Sequence, residues 1–210
     1  MNFKQNLFGK NSNPVRISHN ELGVANTLAA EIIELLPSKL SNQPIVFVCI
    51  GTDRSTGDSL GPLIGTLLKD KRLSSFFIYG TLENPIHAVN LEEKLAEIKK
   101  KHLNPFIIGI DACLGRLKSV GSIEIGEGPI KPGAGVNKEL PEVGHIYITG
   151  IVNVGGFMEY LVLQNTRLHL VMNMAKVIAN SIYLASFSYH PKYFTTTNQW
   201  ELEDKQETEA

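Results

Sequence analysis

Cysteine is scarce in this chain: two residues in 210, Cys49 and Cys113, each close to the end of an apolar run. That count argues against a disulfide scaffold, and buried thiols in a reducing compartment are expected. Net charge is nearly absent too, because 20 Lys and Arg residues face 21 Asp and Glu for a formal charge of -1. No global field draws the chain onto nucleic acid or anionic lipid, and neither is expected as a direct partner. No continuous run approaches the ~18 apolar residues that span a bilayer. The polar N-terminus MNFKQNLFGKNSNPVR also lacks an apolar stretch of signal-peptide length. A soluble, cytoplasmic protein is the reading. Also missing are a Gly-rich loop ending in Lys-Ser or Lys-Thr, a G-x-G-x-x-G after the first strand, internal repeats, and His or Cys at metal-site spacing. Nucleotide binding through those motifs is set aside, and no cofactor is expected.

What is present is apolar patterning, enough for one α/β domain over residues 18–190 between a flexible segment (1–17) and a polar C-terminal tail (191–210). Ser18-His19-Asn20-Glu21 has capping-box spacing, and Leu22, Ala25, Leu28, Ala29, Ile32, Leu35 and Leu36 recur at helical period, predicting a first helix ended by Pro37. IVFVCIG (45–51) reads as a strand covered on both faces. A helical stripe from Leu60 to Leu68 follows, then a strand at 76–80, a helix over 88–101 and a strand at 105–111. GSIEIGEG (121–128) alternates as an edge or antiparallel strand does, HIYITGIV (145–152) is another strand, and a long helix begins near Thr166. This order predicts a three-layer αβα sandwich, a mostly parallel doubly wound sheet with an antiparallel edge.

In such sheets ligands bind beyond the carboxyl ends of the strands, where strand order reverses. The loop GTDRSTGDSLGP (51–62) carries Asp58 to that place, and the strand at 105–111 ends in Asp111. Two neighbouring carboxylates suit general acid–base work, since like charge raises one pKa and leaves one group protonated and the other ionised. The competing reading of Asp58 is a helix cap, with Pro62 at an early helical position. Asp53 and Arg54 read as solvated loop charges. GEGPIKPGAGVN (126–137) either forms a Gly/Pro turn or presents backbone N–H groups to a carbonyl or anion. Ser55, Ser59 and Cys113 have no neighbouring His in sequence to activate them. His87, His102, His145 and His169 read as surface or packed histidines; His145, heading a strand, is the first to examine as a ligand.

The same segments resemble a known family. GTDRSTGDSLGP is similar to the G-N-x-x-x-T-x-D-A-L-G-P segment of the spore germination proteases at Gly51, Thr56, Asp58, Leu60, Gly61 and Pro62. GIDACLGR (109–116) is similar to that family's G-I-D-A-L-A-A-R. IEIGEGPIKPGAGVN resembles its T-I-Q-I-x-D-T-G-I-x-P-G-S-G-V-G-N, with the Gly135-Val136-Asn137 step shortened, and in the first segment Thr52 stands where the family has Asn. The chain as a whole resembles the YyaC-type sporulation proteins, smaller relatives of that protease. The resemblance implies the fold of hydrogenase maturation peptidases and an aspartate-dependent endopeptidase of sporulation or germination, with Asp58 and Asp111 as the catalytic pair. Arg116, Pro132, Gly133, Gly135 and Asn137 are carried as supporting or substrate-binding residues. The implied substrate is a protein or peptide, with the small acid-soluble proteins that coat spore DNA as the family's own, and homo-oligomerisation is left open. Two alternatives stay beside this one: a metal-dependent maturation-type peptidase using Asp58, Asp111 and His145, and a sporulation protein that kept the fold for binding alone.

Overall fold

The computed structural model describes residues 13–38, 43–71, 73–133 and 140–189. Its elements in chain order are β1 (Val15–Ser18), α1 (Val24–Leu35), β2 (Ile45–Cys49), α2 (Leu60–Asp70), β3 (Phe76–Tyr79), α3 (Leu91–Lys101), β4 (Phe106–Gly115), β5 (Ser122–Glu127), β6 (Ile146–Val154), α4 (Glu159–Gln164) and α5 (Leu168–Ser188). The six strands form one sheet in the order β1-β5-β6-β4-β2-β3. β3, β2, β4 and β6 pair in parallel, while β5 runs antiparallel to both β6 and β1. The three-layer α/β sandwich follows from the strand alternation.

Cross-strand partners share a face, and the next residue along each strand faces the other way. Ile125, Ile148, Ile110 and Cys49 are successive partners across β5, β6, β4 and β2. All four are buried in the cluster that also holds the inner faces of α1, α2 and α5. One residue along, Arg16, Glu124, Thr149 and Asp111 are successive partners across β1, β5, β6 and β4. Their face carries a second, smaller cluster, in which Leu91, Leu95 and Ile98 of α3 meet Val46, Val48 and Ile107.

Helix α2 lies close to the sheet because it carries glycine at the crossing. A Cβ on Gly61 would stand 2.1 Å from the Ile50 carbonyl oxygen, and one on Gly65 1.9 Å from that of Gly80. α5 is long and apolar enough to cross a membrane by length and composition, although polar residues interrupt its apolar run. Half of its apolar window is buried, and Val171, Met174, Ala175, Ile178 and Ile182 lie in the main core.

Three boundaries differ from the sequence reading. Residues 15–17, assigned to a flexible segment, belong to β1, which pairs with β5. The predicted capping box does not cap: Ser18 ends β1 with its hydroxyl donating to Asn20 Oδ1 at 2.7 Å, and α1 begins at Val24 after Gly23 at φ 78°. Leu22, expected on the buried stripe, is fully exposed. β4 does not stop at Asp111 but runs on to Gly115, so that acid lies within a strand.

Candidate active site

The loop between β2 and α2 is held by its own backbone. Asp58 O accepts from Thr52 N–H (3.1 Å), Ser55 O from Ser59 N–H (3.0 Å), and Leu163 O of α4 from Gly57 N–H (2.9 Å). Ser59 Oγ donates to Thr56 O at 2.7 Å, and Arg54 N–H to Thr52 Oγ1 at 3.3 Å. Gly51, at φ 146°, permits the turn, because a Cβ there would meet Asp58 O at 1.9 Å. Gly57 likewise has no room for a side chain against Leu163. The cap reading of Asp58 does not hold: the residue before α2 is Ser59, and no side chain caps that helix.

Asp58 and Asp111 line one cleft of about 520 Å³. Thr52, Ser55 and His87 border it on the loop side, Cys113 and Thr149 on the sheet. Residues 130–133 and Leu140, between β5 and β6, also line it, and Ile130 and Val143 exchange backbone hydrogen bonds, Ile130 N–H to Val143 O and Val143 N–H to Ile130 O, both 2.9 Å. Glu159, Tyr160 and Leu163 of α4 form the rim. A larger groove of about 680 Å³ follows the β3 edge and shares His87, but four of its charged side chains are engaged in the ion pairs Lys69–Glu83 and Lys94–Glu97.

Burial pushes the Asp111 carboxyl up to about 8; the charge of Asp58 adds to the rise, and the Ala112 N–H, donating to Asp111 Oδ1 at 2.8 Å, opposes it. Asp111 is half-buried as a residue, and the packing around its carboxyl is what strips water from the charge. Asp58 is raised as well, by burial, with the nearby Ser55 hydroxyl pulling the other way. Asp111 therefore holds its proton at neutral pH. Cys113, on the same face two residues on, is pushed up to about 11, chiefly by burial, so its thiol stays protonated and weakly nucleophilic.

Of the other residues singled out in the sequence, Pro132 and Gly133 line the cleft, whereas Gly135 and Asn137 lie outside the described residues. Arg116 does not join them. It is exposed at the turn after β4 and is absent from the groups acting on either acid, so it cannot decide which one ionises. His145 is likewise elsewhere: its Nδ1 accepts from Ile107 N–H at 3.0 Å and its ring stacks on Phe106, at the start of β6, four residues before Thr149. The set Asp58, Asp111 and His145 is not assembled, and among the described residues no three His, Cys, Asp or Glu side chains are placed to hold a metal ion. Among the described residues, none therefore completes the ligand set that the metal-dependent alternative needs. His87, read as a surface or packed histidine, and Arg54, read as a solvated loop charge and exposed here, both border the cleft. His87 could have been found from the strand-like register of Ile86, which bridges Ile50 in parallel and delivers the next residue to the cleft.

The sheet order and the flanking helices define a three-layer α/β protein with two acids in one cleft beyond the end of β2. The [NiFe] hydrogenase maturation protease HycI from Thermococcus kodakarensis KOD1 shares the fold, with a TM-score of 0.51 at 16% identity over 75% of this chain and 99% of that one. At the level of sequence, the chain belongs to the family described as "Protein of unknown function (DUF1256)", whose model matches residues 18–181. It is 57% identical over 185 residues to the uncharacterized protein YyaC of Bacillus subtilis (strain 168), covering 88% of this chain and 90% of that protein.

Proposed function

We propose that this chain is a peptidase-like hydrolase in which Asp58 and Asp111 divide the work of cleaving a peptide bond. The observation that carries the reading is the pairing of two carboxyls in one cleft with unequal proton affinity, Asp111 near 8. Asp58, ionised, takes a proton from water as the water oxygen bonds to the peptide carbonyl carbon. Asp111, neutral, gives its proton to the amide nitrogen as the C–N bond breaks. The products are a carboxylic acid and an amine, and proton exchange through solvent restores the pair. The fold shared with a maturation protease supports a peptide substrate. The resemblance to germination proteases supports spore proteins, the small acid-soluble ones first, in the cytoplasm of a sporulating cell or spore.

The test is cleavage of purified small acid-soluble spore proteins and of whole spore extract, followed by mass spectrometry, with Asp58→Asn and Asp111→Asn beside the wild type. Each change is expected to lower kcat by about 10²–10⁴-fold, the usual contribution of a positioned acid or base. A chelator in the assay is expected to leave the rate unchanged. Cleavage that survives both substitutions would sink the assignment. A stable complex with a spore protein that is never cut would favour the binding protein instead.

A further inference from the structure

Ser55 is the anomaly of the cleft. The residue is 6% exposed, and its Oγ is the one buried side-chain polar atom among the described residues that makes no hydrogen bond. Several of its neighbours are engaged: Ser59 through its hydroxyl, Thr52 through both its N–H and its hydroxyl, Gly57 through its N–H, and Ser55 itself through its carbonyl. A buried hydroxyl left without a partner is costly, and in a loop whose backbone is braced at several points it calls for an explanation. The residue also borders the cleft, and its hydroxyl stands beside Asp58, where hydrogen bonding to the carboxylate opposes the rise in the pKa of that acid, although no bond of good geometry joins the two as they stand. A hydroxyl beside the carboxylate and without a partner of its own is available to share a small polar group with it.

We infer that Ser55 is a positioning residue whose hydroxyl, together with the Asp58 carboxylate, holds the water molecule that is to be activated. The inference rests on the hydrolase reading above and adds to it a second contact on the water. Asp58 alone can hold a water anywhere on the arc of its carboxylate lone pairs; a second contact from a rigid loop fixes the oxygen at one place before the carbonyl arrives. The loop is suited to that role because its position is set from β2, from α2 and from α4 through the Gly57–Leu163 bond.

Ser55→Ala and Ser55→Thr in the full chain test it with three readouts. In Ser55→Ala the melting temperature is expected to equal or exceed that of the wild type, because no protein hydrogen bond is lost. The kcat for peptide cleavage is expected to fall by about 10–100-fold with KM within about twofold, and Ser55→Thr, which keeps the hydroxyl, is expected to recover most of it. A high-resolution crystal structure is expected to show a water within hydrogen-bonding distance of both Ser55 Oγ and Asp58 in the wild type and not in Ser55→Ala. A melting temperature several degrees lower in Ser55→Ala overturns the inference, since it identifies a structural hydrogen bond. So does a wild-type crystal structure in which Ser55 Oγ bonds only to protein. If no peptide is cleaved by any form, the hydrolase reading fails, while the melting temperature and the crystallographic water still decide the role of Ser55.

Discussion

The two faces of this sheet are made by the same strands and differ in what covers them. One face lies under α1, α2 and α5 and is apolar from Ile17 through Ile123, Ile148 and Ile110 to Phe47. The other is covered by α3 over β2 and the start of β4, and beyond that cover lies the row Arg16, Glu124, Thr149 and Asp111. A single residue step, Ile110 to Asp111 or Ile148 to Thr149, moves from sealed core to polar row. Burying a carboxyl under three helices would be prohibitive, whereas half-covering it only raises its pKa. Incomplete cover is therefore what allows the same strand to serve both packing and chemistry.

That contrast can be broken at three strengths. Ile148→Ala, on the sealed face, leaves a cavity beneath α5 and is expected to cost about 2–5 kcal/mol in denaturant unfolding. A cost below ~1 kcal/mol would mean that this face is less tightly packed than its zero exposure implies.

Asp111 gives the next effect, through pH. Its folded pKa of about 8 lies above the ordinary carboxylate value of 3.8, so between those pH values the folded chain holds a proton that the unfolded chain releases. Stability is therefore greatest at the acid end of that window, falls as pH rises through it and levels off above 8, a change on the order of a few kcal/mol. Asp58, raised in the same direction, adds to the slope. Thermal melts from pH 5 to 9 should show the decline, and Asp111→Asn should flatten most of it and melt above the wild type at pH 9. An unchanged slope in Asp111→Asn would place the titrating group elsewhere.

Arg16→Ala is the smallest perturbation. Its guanidinium donates through Nε to Glu124 Oε2 at 2.9 Å on the exposed end of the polar row. Exposed ion pairs contribute little, and the loss should not exceed ~1 kcal/mol, diminishing further in high salt. A larger effect would show that the polar row is a structural seam comparable to the apolar one.

Much of this was legible along the chain. Continuous apolar runs marked β2 and β4, alternation marked β5, and the topology rule brought Asp58 and Asp111 to one cleft. What was hidden depended on contacts distant in sequence. β1 is four residues long, and its partner, β5, lies more than a hundred residues away. That pairing, continued by His19 N–H to Gly121 O, ends in a turn where a local pattern suggested a helix cap. α4 buries none of its residues fully, so its pattern gave no amphipathic signal, although it supplies both the rim of the cleft and a brace for the Asp58 loop. Arg116, carried over from the resemblance, and His145, weighed as a ligand only in the metal alternative, both lie away from the acids. Arg116 follows a strand that extends past the acid, and His145 precedes the part of β6 that reaches it.

The separation of the two faces also divides the thiols. Cys113 borders the cleft, while Cys49 has no exposure and lies in the sealed row beside Ile110, its thiol pushed far up by burial. An oxidant or electrophile arriving from solvent meets Cys113 first and reaches Cys49 only after α2 has lifted from the sheet. Covalent damage at Cys49 is thus a record that the molecule has been open, written into the chain after it closes again.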